Sequence, residues 1–267
     1  MKKKLLIILS ILIVVGGVYF TWTKTQKKEE SKEETSEKQE ETPKEPEKEE
    51  QKEEPKEEEV QPEEPEQPEE PIVEPSRHTN YPGTTSKGYT VEVIDGIAYI
   101  NGILIANKTY SLPSDYYPGG LLNDFLNPYY EMQAAASNDG ISLEVISGFR
   151  SYDDQDWIYN NYVNRDGREA ADRYSARPGH SEHQTGLAAD INSLYQSWGE
   201  TAEGIWLNTH CADYGFIIRY PQGKESITGY MYEPWHIRYV GKDLAQKLYN
   251  NGDWITLEEY FGITSQY

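Results

Sequence analysis

Three of the five histidines in this chain of 267 residues, His180, His183 and His236, stand in two stretches crowded with other groups able to bind a metal or move a proton. The first stretch is Ser175-Ala-Arg-Pro-Gly-His-Ser-Glu-His-Gln-Thr-Gly-Leu-Ala-Ala-Asp-Ile191, a loop that leads into a short apolar strand ending at Asp190. The second is Glu233-Pro-Trp-His-Ile-Arg-Tyr-Val240. A catalytic zinc takes three nitrogen or oxygen ligands from the protein and keeps one position for water, so two histidines and one carboxylate would suffice. A separate carboxylate must then take a proton from that water. Glu233, three residues before His236, suits the role in an extended or turned segment, and Pro234 argues against a helix there. Spacing alone leaves two matters open. Clustered His and Glu on a loop are commonly ordinary polar residues, and His180 is spaced as well as His183 for shared ligation.

These side chains need a scaffold, and the pattern around them supplies one. Residues 90–100 place Asp95-Gly96 between two alternating apolar runs, which is a hairpin signal. Leu121, Leu122, Phe125, Leu126, Tyr129 and Met132 recur at helical spacing, and that helix should stop near Asn138-Asp139-Gly140. Residues 141–147, 216–220 and 235–240 read as strands, and 153–164, 202–214 and 243–249 as helices. The expected fold is α+β, a small, mainly antiparallel sheet flanked by helices. On the helix over 153–164, Gln155, Tyr159 and Tyr162 share one face, which either lines a cleft or packs in the core. Cys211, alone in the chain, forbids an internal disulfide and reads as a small buried apolar residue.

The composition divides the chain into three parts. Residues 1–23 begin with three lysines and continue as an apolar run of about the length that spans a bilayer, a membrane anchor or signal segment. A lipid-modified cysteine is excluded there, because Cys211 is far away. Residues 24–76 hold 22 Glu against 9 Lys and almost nothing apolar, so they cannot bury a core and read as a disordered, charge-extended linker. Residues 77–267 form the globular domain. A formal net charge of −21 makes nucleic acid an unsuitable partner. The expected location is the cell membrane, single-pass, with the domain extracytoplasmic.

Several pieces recur in a set order: Asn107-Lys108, Leu112-Pro-Ser-Asp-Tyr116, Ser147-Gly-Phe-Arg-Ser-Tyr152 with Gln155, the 178–190 loop, Trp206-Leu207, Tyr214-Gly-Phe216, Arg219-Tyr-Pro221, and residues 233–241. This order resembles the VanY-type D-alanyl-D-alanine carboxypeptidases, zinc peptidases of a peptidoglycan-trimming class that also includes LD-carboxypeptidases of similar fold. The resemblance implies that His183, Asp190 and His236 bind Zn2+ in a surface cleft, with His180 outside the site. It implies that Glu233 is the base and later the proton donor. It makes Arg150 either the stabiliser of an oxyanion or the clamp on a substrate carboxylate, and makes Gln155 and Ser181 anchors for the substrate's terminal carboxylate. The implied activity is removal of the terminal D-alanine from peptidoglycan stem peptides. One rival is an LD-carboxypeptidase acting on tetrapeptide stems. Another is a non-catalytic cell-wall binding module, which would have little need of Glu233 or Arg150. A serine mechanism is disfavoured, because the globular part contains no Ser-x-x-Lys.

Overall fold

The computed structural model describes residues 82–267; the expected anchor and the whole of the acidic linker lie outside the described residues. Among the described residues, no helix is long and apolar enough to cross a membrane.

Turn chemistry builds the first sheet. After β1 (Gly83–Thr84) and β2 (Thr90–Ile94), Asp95 and Gly96 both take positive φ, 50° and 79°, and reverse the chain into β3 (Ile97–Ile100). Such backbone matches the twist of a tight hairpin. Asn101 and Gly102 repeat the device before β4 (Ile103–Ile105), which completes an antiparallel meander.

The second sheet carries the chemistry. It comprises β5 (Val145–Ser147), β6 (Ala188–Ile191), β7 (Phe216–Tyr220) and β8 (Glu233–Tyr239) in the order β5-β6-β8-β7, with every neighbour antiparallel. Side chains alternate across a strand. Ala189, Ile191, Phe216, Ile218 and Ile237 therefore face the core, while Asp190, His236, Arg219 and Arg238 face the other way. Helix α1 (Asn123–Asn138) buries Phe125, Tyr129, Met132 and Ala136 in the same core, and Phe125 meets Phe216 edge-on at 5.0 Å. The remaining helices are α2 (Tyr152–Asp166), opened by a Ser151–Asp154 capping box, α3 (Arg168–Ala171), α4 (Ala202–His210), α5 (Glu225–Thr228), α6 (Lys242–Leu248) and α7 (Leu257–Phe261).

The domain is α+β as expected, but its strands form two sheets, not one. The meander is tied to the second sheet by a side chain, with Arg238 Nη2 donating to the Leu104 carbonyl. The strand expected over 141–147 begins only at Val145, because Asn192 occupies the backbone groups before it: Oδ1 accepts from Glu144 N and Nδ2 donates to the Ser142 carbonyl. The helix expected over 202–214 tightens to a 3-10 turn at Cys211–Tyr214 and halts at Gly215, whose φ is 90°. Cys211 is fully buried, and burial pushes its thiol pKa up, as suits a packing residue. Helix α7 was not foreseen, although its Thr256–Glu259 capping box is visible in the sequence.

One glycine connects fold to site. Gly186 ends the 3-10 turn Glu182–Thr185 at φ 69°, and a Cβ there would lie 2.6 Å from the Gly120 carbonyl oxygen. Gly186→Ala should therefore lower the unfolding free energy by about 2 kcal/mol or more, from left-handed backbone strain with the clash added. Urea unfolding at constant m-value measures it, and an unchanged midpoint would contradict this account.

Candidate active site

The two sequence stretches meet through the pairing of β6 with β8, in which Asp190 lies directly opposite His236. Directly opposed residues have Cβ atoms only about 5 Å apart on one face, so this register brings the carboxylate to the imidazole. Asp190 Oδ1 lies 3.0 Å from His236 Nδ1. His183 arrives from the 3-10 turn that precedes β6, and its Nε2 lies 3.3 Å from Asp190 Oδ2. The turn is fixed by Ser181 Oγ accepting from His183 N and by Arg150 N donating to the His183 carbonyl.

Glu233 and His236 are three residues apart, and in a regular strand they would point to opposite faces. The ladder between β7 and β8 shifts register between Ile218 and Tyr220, where Pro234 stands opposite and can donate no hydrogen bond. That irregularity turns Glu233 to the His236 side, with Oε2 4.0 Å from Nδ1.

One donor atom each from His183, Asp190 and His236 lies within 4.8 Å of the others. Ligands about 2.1 Å from a tetrahedral zinc are roughly 3.4 Å apart, close to the distances found here. The outer nitrogens fit too. His183 Nδ1 faces the Gly148 carbonyl at 2.7 Å, and His236 Nε2 faces Glu182 Oε2 at 3.4 Å. Both partners accept hydrogen bonds, so the inner nitrogens, Nε2 of His183 and Nδ1 of His236, are the ones available to a metal.

The electrostatics favour a cation at this point. Burial alone would raise the Asp190 pKa, but His183 and His236 overcome it and hold the carboxyl well below the usual range. Burial opposes a charge on His236, yet the carboxylates of Asp190 and Glu182 outweigh it and raise its pKa to about 9. A bound metal would displace the proton those anions draw in. Burial lowers the His183 pKa, with Asp190 partly opposing. Glu233 is pushed up to about 8, chiefly by burial, while His236 and Arg150 act the other way.

A cleft of about 740 Å³ opens over these groups and is lined also by Arg150, Ser181, Tyr162, Tyr195, Tyr220 and Tyr230. Arg150 is pinned by Nη1 donating to Gln155 Oε1 at 2.7 Å and Nη2 donating to Ser147 Oγ at 3.1 Å. Gln155 stands behind it, fully buried, with Nε2 donating to Ser175 Oγ and the Ala176 carbonyl. Of the helix face Gln155, Tyr159 and Tyr162, only Tyr162 lines the cleft; the Tyr159 hydroxyl donates to Asp172. His180 lies apart from the cluster, its Nδ1 against the Asn107 carbonyl and its ring edge-on to Tyr267.

Glu182 was not singled out from the sequence. A signal for it existed, because Arg219 follows the apolar run Phe216-Ile-Ile218 and Arg238 follows Ile237 within a strand, and a buried arginine requires a buried acid. Burial would raise the Glu182 pKa, but these two guanidiniums hold it well below the ordinary range.

The sequence pattern of the VanY family, D-alanyl-D-alanine carboxypeptidase, matches residues 120–242. A Bacillus subtilis protein bearing the name carboxypeptidase YodJ is 41% identical over 199 residues, 64% of this chain and 72% of its own length. The solved structure of the LdcB LD-carboxypeptidase is similar with a TM-score of 0.59 and 43% identity, over 67% of this chain and 97% of that one. A VanY D,D-pentapeptidase variant in complex with Zn(II) is similar with a TM-score of 0.51 and 33% identity, over 58% and 96%. The matched segment contains both strands that bring Asp190 and His236 together, and on these likenesses the chain belongs to the VanY-type D-alanyl-D-alanine carboxypeptidase family of peptidases.

Proposed function

We propose that the chain is a zinc-dependent carboxypeptidase that removes the terminal D-alanine from peptidoglycan stem peptides. The reading is carried by one observation: His183, Asp190 and His236 converge on a point beside which Glu233 stands, all at the wall of one cleft. The chemistry that a zinc ion supplies in such a site is a water acidified to a pKa of about 7 and a polarised substrate carbonyl. His183 and His236 would hold the ion through Nε2 and Nδ1, and Asp190 through its carboxylate.

The remaining steps belong to side chains of this protein. Glu233 accepts the water's proton and returns it to the departing nitrogen, and a carboxyl group with a pKa moved toward neutrality suits both halves of that task. Arg150, its guanidinium braced by Gln155 and Ser147, stabilises negative charge in the cleft, on the oxyanion or on the substrate's terminal carboxylate. Ser181, with Oγ accepting from His183 N, keeps its own proton for that carboxylate. Gln155 acts on the substrate through Arg150. No covalent intermediate is needed. We place the domain on the cell-wall side of a membrane, tethered by residues 1–23 through the acidic linker.

Two cuts are within reach of one such site. The 43% identity to LdcB, against 33% to the D,D-pentapeptidase, favours removal of D-alanine from tetrapeptide stems. The family pattern over residues 120–242 supports the D,D cut of pentapeptide stems as the second reading. Incubation of the zinc-loaded protein with each stem, followed by mass spectrometry, should find one D-alanine lost, faster from the tetrapeptide. Faster loss from the pentapeptide selects the D,D reading, and loss from neither would leave a binding module.

Two substitutions test the roles. Glu233→Gln keeps the shape but cannot accept a proton, so turnover should fall ~10²–10⁴-fold with zinc content and peptide affinity retained. Loss of zinc would make Glu233 a ligand, and unchanged turnover would remove it as the base. His183→Ala should lose zinc occupancy by metal analysis, and full retention would show the ligand set to be wrong.

A further inference from the structure

We infer that Glu182 is a positioning residue for His236: it fixes the ring proton on Nε2, so that Nδ1 faces the metal position. The inference rests on the zinc reading above and extends it to a residue outside the ligand set.

The argument begins with the hydrogen bonds Glu182 makes. Its Oε1 accepts from Arg219 Nε at 2.8 Å and from Arg238 Nη1 at 3.1 Å, leaving Oε2 facing His236 Nε2 at 3.4 Å. Arg219 in turn donates through Nη1 and Nη2 to Glu258 at 2.9 and 2.7 Å, and Asn107 Nδ2 donates to the same carboxylate at 3.0 Å. The four charged side chains Glu182, Glu258, Arg219 and Arg238 are each only 1–2% exposed. Two carboxylates and two guanidiniums balance without any charge on His236. Glu182 can thus remain an ionised acceptor while His236 is the neutral imidazole that a metal requires.

Carboxylates face both ring nitrogens of His236, so the proton is assigned by the metal position: an imidazole that binds a metal through Nδ1 keeps its one ring proton on Nε2, where Glu182 Oε2 accepts it. The ring proton sits on Nε2, and the lone pair sits on Nδ1, 3.0 Å from Asp190 Oδ1. His183 reaches the opposite arrangement by the same logic, because the Gly148 carbonyl holds a proton on Nδ1 and frees Nε2. Removing one partner from a buried ion group costs several kcal/mol, whereas replacing the whole group by apolar side chains is often neutral. Stability alone therefore gives no reason for four buried charges beside a metal position, and orientation of a ligand does. Because Arg219, Arg238 and Glu258 come from β7, β8 and α7, three elements jointly hold Glu182 in place.

Glu182→Gln is the informative variant. Its amide oxygen would be taken by Arg219 and Arg238, which turns the NH2 group toward His236 Nε2 and moves the ring proton to Nδ1. Zinc competition against a chelator should then give a Kd raised ~10–100-fold over the unsubstituted protein. Long-range proton–nitrogen NMR on the unsubstituted, zinc-loaded protein supplies a second measurement that needs no variant to fold. It should find His236 protonated on Nε2 and His183 on Nδ1. A zinc Kd within twofold in folded Glu182→Gln, or His236 ligating through Nε2, overturns the inference while leaving the zinc reading intact. Absence of zinc binding by the unsubstituted protein would overturn the zinc reading itself.

Discussion

Everything at this site depends on the register of β6 against β8. Pairing Ala188 with Arg238, Ala189 with Ile237 and Asp190 with His236 sends one set of side chains into the core and the other toward the cleft. A slip of one residue would exchange the faces, burying Asp190 and His236 among apolar side chains and exposing Ile237. The register is thus held by the apolar face, through Ile237, Ile191 and Ala189 packed in the core that also holds α1, and the chemical face inherits it. Hydrophobic burial decides where the strand sits, and the approach of Asp190 to His236 follows from it.

The opposite face carries charges that would be costly elsewhere. Asp190, Glu182 and Glu233 are all buried close to His236, and only Glu182 is fully matched by arginines. Burial, with Asp190 and Glu182 adding to it, pushes a proton onto Glu233, and the carboxylates of Asp190 and Glu182 draw one onto His236 against its burial. A divalent cation would answer both demands, displacing the proton from His236 and pulling the Glu233 pKa down toward neutrality. The same burial that makes the site expensive without a metal makes Glu233 basic enough to act as a proton acceptor.

Much of this was legible in the sequence, and for definite reasons. The α1 spacing of Phe125, Tyr129 and Met132 and the apolar run Phe216-Ile-Ile218 report burial directly, and burial is what periodicity encodes. Pro234 signalled that the Glu233–His236 segment would not be a helix, but the register shift that turns both side chains to one face shows only in the pairing with β7. What sequence could not give is pairing at a distance. Glu182 lies 37 residues from Arg219 and 56 from Arg238, and Asn107 lies 151 from Glu258. Gln155 illustrates the same limit: the family resemblance implies a carboxylate anchor, and only packing reveals that its amide is spent on Arg150, Ser175 and Ala176.

The cluster and the cleft walls answer different questions. His183, Asp190, His236 and Glu233 sit on paired strands and on a turn locked by Gly186, where a change of position would disturb the core. The walls come from Tyr162 and Arg165 on α2 and from Leu194 and Tyr195 beyond β6, where side chains can change without moving the sheet. Arg165 is held by Asp166 and lies over the Tyr162 ring, so this part of the wall is aromatic and charged. Bond hydrolysis requires only the cluster, whereas discrimination between an L- and a D-residue before the cut requires a wall shaped for one configuration. Under the proposed function, the choice of stem peptide would fall to such walls, and His183, Asp190, His236 and Glu233 are compatible with either cut.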